Sequence, residues 1–264
     1  MSRNFGSPLG KAPPGSGQSS SPARPTPATT PVTRNASTPR LSNYRGKNLL
    51  NNGVDFVIPM NKVPVNVINT VNAISGNRST PEPPANVLSE QIEELKLFVR
   101  GGSESDLRSF FQLISFPARF NDSTFSGDKR VMSMGDIPLA SHLIPVAEDR
   151  ISVPIPDLMY GYSMQTAFTT AQRLIQKHLD PYNEIFAEAT SNGNFRFLFL
   201  FAEFKKEDDH VTAENQLAGA FLAGHRLIDC LNRCLETYKY PGKVVDNILF
   251  GLTVENRVAE LYVA

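Results

Sequence analysis

An α/β fold, with helices covering a sheet, is what this sequence predicts, and three stretches predict it. The first is Phe195-Arg196-Phe197-Leu198-Phe199-Leu200-Phe201-Ala202-Glu203-Phe204-Lys205. Strand side chains alternate between faces, so Phe197, Phe199, Phe201, Glu203 and Lys205 share one side, and Leu198, Leu200, Ala202 and Phe204 the other. Apolar residues on both sides mark a central strand covered above and below. The second stretch, Thr212 to about Tyr238, is a long helix. Its first half is rich in small residues (Ala213, Ala218, Gly219, Ala220, Ala223, Gly224), which suits it to lie close on a sheet. The third is a pair of strands, Asn247 to Val254 and Arg257 to Val263, joined by a tight turn at Glu255-Asn256.

The remaining elements follow in chain order. Residues 1–42 are rich in Ser, Pro, Thr, Gly and Arg with almost no aliphatic content, so burial cannot offset their ordering entropy and a disordered tail is expected. An ordered domain over 43–264 begins near Asn43-Tyr44-Arg45, followed by the short apolar run Val54 to Val57. Pro64 suits the first turn of a helix over Val65 to Ile74. After a Pro-rich break, Ile92, Leu95 and Val99 line one face of a helix from about Ser89 to Val99, which Gly101-Gly102 end. Ser103 to Asp106 reads as an N-cap with an acidic third position, opening a helix through Leu107, Phe110, Phe111 and Ile114. Residues 117–145 give no firm element. Ile151 to Tyr162 reads as extended chain around Pro154 and Pro156, and Gln165 to about Glu188 as helix with a break at Pro181. Lys206 to His210 is a polar loop.

Charge is balanced overall but not along the chain. Seven basic residues precede the first acid, Asp55; with 26 basic and 26 acidic residues in all, the remainder holds 19 against 26, a net of −7. A basic arm on an acidic body suits contact with nucleic acid or an acidic protein partner, or simply solubility. Cys230 and Cys234 lie four apart on one helix face, which excludes a disulfide framework. No long apolar run indicates secretion or membrane insertion, so an intracellular protein, nuclear or cytoplasmic, is expected.

The chemistry concentrates where strands end in charge. Asp157 follows Pro156 at the start of one strand, while Glu203 and Lys205 close another. Burying an acid and a lysine there costs desolvation energy unless a bound cation and an anionic ligand offset it. If the strands are neighbours, two carboxylates and a phosphate oxygen suffice for a hard cation such as Mg²⁺. Lys205 would position or deprotonate a water, or neutralise a phosphate. The plain alternative is a salt bridge at a strand end, and Glu94-Leu95-Lys96 shows how common Glu-x-Lys is.

Pro156-Asp157 followed by Glu203-Phe204-Lys205 resembles the motif of the PD-(D/E)XK nuclease superfamily. More closely, the chain looks like a fungal family of uncharacterised PD-(D/E)XK nuclease-like domains. The matching pieces are Asn43-Tyr44-Arg45, Asn52-Gly53-Val54, Asp157-Leu158-Met159-Tyr160-Gly161-Tyr162, Phe201 to Lys205, and Ala213 to Gly219. The resemblance implies a restriction-endonuclease-like mixed sheet flanked by helices, and metal-dependent hydrolysis of phosphodiester bonds in DNA or RNA. By the same resemblance Asp157 and Glu203 are ligands of Mg²⁺ or Mn²⁺, Lys205 is the catalytic lysine, and Gln216 faces the site. A glutamate on an early helix often completes it; Glu90, Glu93 and Glu94 are the candidates. The alternative is an inactive nuclease fold kept as a module for binding nucleic acid or protein, with the tail as a possible partner arm. Elsewhere, His225 and Asp229 are spaced to pair on a solvated helix face, Tyr160 and Tyr162 read as core or as a stacking surface, and Lys206 as an exposed loop residue.

Overall fold

The computed structural model describes residues 39–40, 43–56, 60–76, 89–90, 92–96, 103–112, 130–145, 149–179, 189–190, 195–205, 209–237, 239, 244–255 and 258–264. The chain divides into Met1–Asn35 and Ala36–Ala264, and all of these residues belong to the second unit. The tail expected to be disordered lies outside the described residues but for 39–40, as does Lys206.

Five strands form one mixed sheet in the order β1 to β5: β1 (Val131–Met134), β2 (Leu158–Ser163), β3 (Phe195–Lys205), β4 (Phe250–Glu255) and β5 (Val258–Val263). All neighbours are antiparallel except β3 and β4, which run parallel with Glu203 opposite Thr253 and Lys205 opposite Glu255. Parallel neighbours need a crossover, and the long helix supplies it. The helices are α1 (Val65–Ser75), α2 (Glu104–Phe110), α3 (Thr170–Leu179) and α4 (His210–Thr237), preceded by a π-helical turn at Tyr44–Leu49. Helical backbone also runs over 92–96, inside the helix expected near Ser89.

α4 covers one face because its small residues let it come close. A Cβ on Gly224 would stand 2.6 Å from Leu249 Cδ1, and one on Gly251 of β4 would stand 2.6 Å from Leu217 Cδ2. Leu217, Ala220, Phe221, Ala223 and Leu227 pack there on Met159, Leu198 and Phe201, with the Phe201 and Phe221 rings edge-on at 6.0 Å. Each large side chain so buried contributes roughly 1.5–3 kcal/mol. α2 lies against the other face. The expected capping box at its start is present: Ser103 and Asp106 exchange side-chain and backbone hydrogen bonds. Leu107 then packs with Leu158, Tyr160, Ala202, Phe204, Leu252 and Val254, and Phe111 lies 5.5 Å from the Phe204 ring.

The simple alternation expected along β3 holds only for its C-terminal half. Phe197 adopts φ 45°, and the register with β2 slips between Tyr160 and Tyr162. Beyond that kink Leu198 joins Phe201 in the core under α4, while Phe199 and Leu200 both pack towards α2. From Phe201 onward the alternation is regular. A left-handed phenylalanine costs roughly 1–2 kcal/mol, and the Phe197 ring lies 6.2 Å from that of Phe168.

Other boundaries also differ from expectation. His210 is the first residue of α4 rather than loop, α3 begins at Thr170 rather than Gln165, and β1 emerges from a stretch that gave no element. The π-helical turn anchors the approach to β2: Asn48 Nδ2 donates to the Arg150 carbonyl at 2.8 Å and Asn52 Nδ2 to that of Asp149 at 2.9 Å. Among the described residues, no helix is long and apolar enough to cross a membrane.

Candidate active site

β2 and β3 pair antiparallel with Leu158 opposite Ala202, so Asp157, one residue before β2, falls beside the end of β3. There the Phe204 N–H donates to Asp157 Oδ2 at 2.7 Å. Lys205 Nζ reaches the same oxygen at 3.4 Å, donates to the Phe204 carbonyl at 3.1 Å and lies 3.6 Å from Glu203 Oε2. The three residues singled out from sequence therefore converge. β1 closes the site from behind: Asp136 N–H donates to the Pro156 carbonyl at 3.1 Å, and any Cβ on Gly135 would collide with the Asp157 carbonyl.

Burial sets the electrostatics. Glu203 is 1% exposed, and its Oε2 is paired with the Lys205 ammonium at 3.6 Å, a contact too long for a hydrogen bond. Desolvation, and then the charge of Asp157, push its carboxyl well above the usual range, with Lys205 opposing. Burial works against the Lys205 ammonium, but the charges of Asp157, Glu203 and Glu104 outweigh it and raise its pKa. The lysine is thus held as a cation while the glutamate beside it resists ionising. A cation would stabilise the desolvated charge of Glu203. Asp157, held at Oδ2 by Phe204 and Lys205, and Glu203 would each offer a carboxylate oxygen. Two such oxygens, with waters, suit Mg²⁺ or Mn²⁺.

Gln216 lies in the second turn of α4, on the side of Ala213 and Ala220, and its Oε1 is buried without a partner. Thr253, opposite Glu203 and 2% exposed, is the buried polar residue of β4 at this end of the sheet. The early-helix glutamates Glu90, Glu93 and Glu94 are exposed, and Glu93 pairs with Lys96 at 2.6 Å. Glu104, at the start of α2, is instead the acid whose charge Lys205 feels. Its place in the first turn after the Ser103 cap was the only sequence signal.

The other sequence candidates resolve into structure. Asn247 bridges His225 and Asp229, with Oδ1 at 2.5 Å from His225 Nδ1 and Nδ2 donating to Asp229 at 2.7 Å. Cys230 is half-buried beside Arg233. Tyr160 is core, whereas Tyr162 is partly exposed and leans on Phe199 at 5.6 Å. The Asn-Tyr-Arg and Ala-Glu-Asn-Gln segments meet each other: Arg45 donates to Glu214 at 2.5 Å and to Asn215 at 3.0 Å, its guanidinium 3.9 Å above the Phe56 ring.

Set against protein-family models, curated proteins and solved structures, the chain matches none.

Proposed function

We propose that this protein is a metal-dependent phosphodiesterase acting on nucleic acid, built on a restriction-endonuclease-like domain of the PD-(D/E)XK type. The observation that carries the reading is the buried carboxyl of Glu203, 1% exposed, meeting Lys205 and Asp157 at the end of β3. Burying an ionisable acid this deeply costs stability, which a bound cation would offset. The mixed sheet with its helical crossover agrees with such a fold.

Asp157 and Glu203 would hold Mg²⁺ or Mn²⁺, which when bound supplies charge stabilisation at the scissile phosphate and an acidified water. Phe204, through its N–H, fixes the Asp157 carboxylate. Lys205, held positive by its two acids, serves as a charge partner for the phosphate rather than as a base. Gln216, one turn into α4, offers a buried amide oxygen to orient a water. Purified full-length protein with Mg²⁺ or Mn²⁺ should nick DNA or RNA, and Asp157→Ala should abolish cutting; an equally active variant would refute the assignment.

One observation favours a second reading. The chain after residue 54 carries a net of −7, whereas grip on a polyanion rests on Lys and Arg. An inactive nuclease fold, retained for binding, fits that charge. Divalent-ion titration separates the two, since a carboxylate pair that takes up no Mg²⁺ or Mn²⁺ at millimolar concentration is not a catalytic centre of this kind.

A further inference from the structure

The α4 side of the sheet carries a second cluster towards its other edge. His210 opens α4, and Glu214, one turn on, brings Oε1 to 3.6 Å from His210 Nε2. Glu260 of β5 reaches the same nitrogen with Oε2 at 3.2 Å, and Glu255 of β4 lies 3.9 Å from Nδ1. The ligand atoms of His210, Glu214 and Glu260 all lie within 4.8 Å of one another.

The protons in this cluster do not suffice for its contacts. Tyr262 Oη lies 2.9 Å from Glu214 Oε1, 2.7 Å from Glu260 Oε2 and 3.3 Å from His210 Nε2. With both carboxylates ionised, the single phenol proton serves only one of the two oxygen–oxygen contacts. Arg45 engages the other oxygen of Glu214, which leaves Oε1 turned to the cluster. One further atom points the same way: the buried Oε1 of Glu255 has no hydrogen-bond partner.

We propose that this cluster is a structural binding site for a divalent transition metal of the zinc class. Its ligands are His210 Nε2, Glu214 Oε1 and Glu260 Oε2. One imidazole with carboxylates suits Zn²⁺, whereas an all-oxygen set suits Mg²⁺. The ion takes the place of the absent proton and ties the outermost strand β5 to the start of α4 and, through Glu214 and Arg45, to the π-helical turn. Glu203 and Glu260 are separated by one intervening strand, about 10 Å at the usual spacing, so this ion and one held by Asp157 and Glu203 are separate.

The test is titration of the full chain with Zn²⁺, followed by calorimetry and thermal unfolding, and with Co²⁺, followed by visible absorption. Wild type should bind with a rise in Tm and a Co²⁺ spectrum showing nitrogen ligation. Glu260→Gln, at a half-exposed position, and His210→Ala should each weaken Zn²⁺ binding by at least ~10-fold. Asp157→Asn should leave that binding unchanged, which separates this site from the proposed active site. Zn²⁺ affinity indifferent to both His210→Ala and Glu260→Gln, affinity lost in Asp157→Asn, or no uptake by wild type overturns the proposal.

Discussion

The Phe204 N–H donates to Asp157 Oδ2 at 2.7 Å, so the main chain of β3 orients the acid that precedes β2. Asp157→Asn and Asp157→Ala should therefore differ. Asparagine keeps an acceptor for Phe204 but brings no charge to a cation; alanine leaves a buried amide unsatisfied. Both should lose Mg²⁺-dependent cleavage, and only alanine should lose stability, by roughly 1–3 kcal/mol in urea unfolding. Equal stability would show that the hydrogen bond contributes little.

Glu203 is the group whose ionisation opposes folding. Burial and Asp157 raise its carboxyl well above the ordinary 4.5. Between that value and the raised one, the folded state keeps a proton that the unfolded chain has released. Its contribution to stability is thus full below the ordinary value and declines as pH climbs through the folded one. Glu203→Gln imitates the protonated acid, so the metal-free variant should be more stable than wild type at neutral pH, by about 1–3 kcal/mol. Metal must displace the same proton, so wild-type Mg²⁺ affinity should increase with pH. Unfolding and metal titrations across acid to neutral pH check both; a stability gap that does not widen with pH contradicts them.

Lys205 is placed to act on charge rather than on protons. Lys205→Met should lower kcat by about 10²- to 10³-fold, with nucleic-acid affinity little changed. A rise in KM at constant kcat would make it a binding residue instead.

Gly135 sets the position of Asp157 from the β1 side. Its substitution by alanine forces the Asp157 carbonyl to shift, because both atoms are backbone-bound. Gly135→Ala should cost roughly 1–3 kcal/mol and weaken metal binding together. Unfolding in urea with a parallel Mn²⁺ titration reads both; an unaffected metal affinity would show that β1 does not set the acid's place.

What the sequence disclosed depended on whether the cause was local. β3 was legible because a short run with apolar residues on both sides needs cover above and below, which the middle of a sheet provides. α4 was legible because its small residues predict close packing. The capping box of α2 and the β4–β5 hairpin carry their own local chemistry. β1 was not legible: Val131-Met132-Ser133-Met134 is four half-buried residues with no alternation, made a strand only by pairing with β2. The kink at Phe197 was hidden because nothing in a row of phenylalanines requests a left-handed residue. Asp157 and Glu203 could be named but not joined without strand order. The His210 cluster was missed because its members sit on three elements, brought together only by the crossover and the β4–β5 register.

The central claim is that Asp157, Glu203 and Lys205 form one metal-dependent centre that cuts phosphodiester bonds. Its most direct test is the cleavage rate of supercoiled DNA and of RNA by the full chain with Mn²⁺, wild type against Glu203→Gln. Wild type should cut at least one of them, EDTA should stop it, and the variant should be slower by ~10³-fold or more. Equal rates for the two proteins, or no cutting of either substrate by wild type, would contradict it.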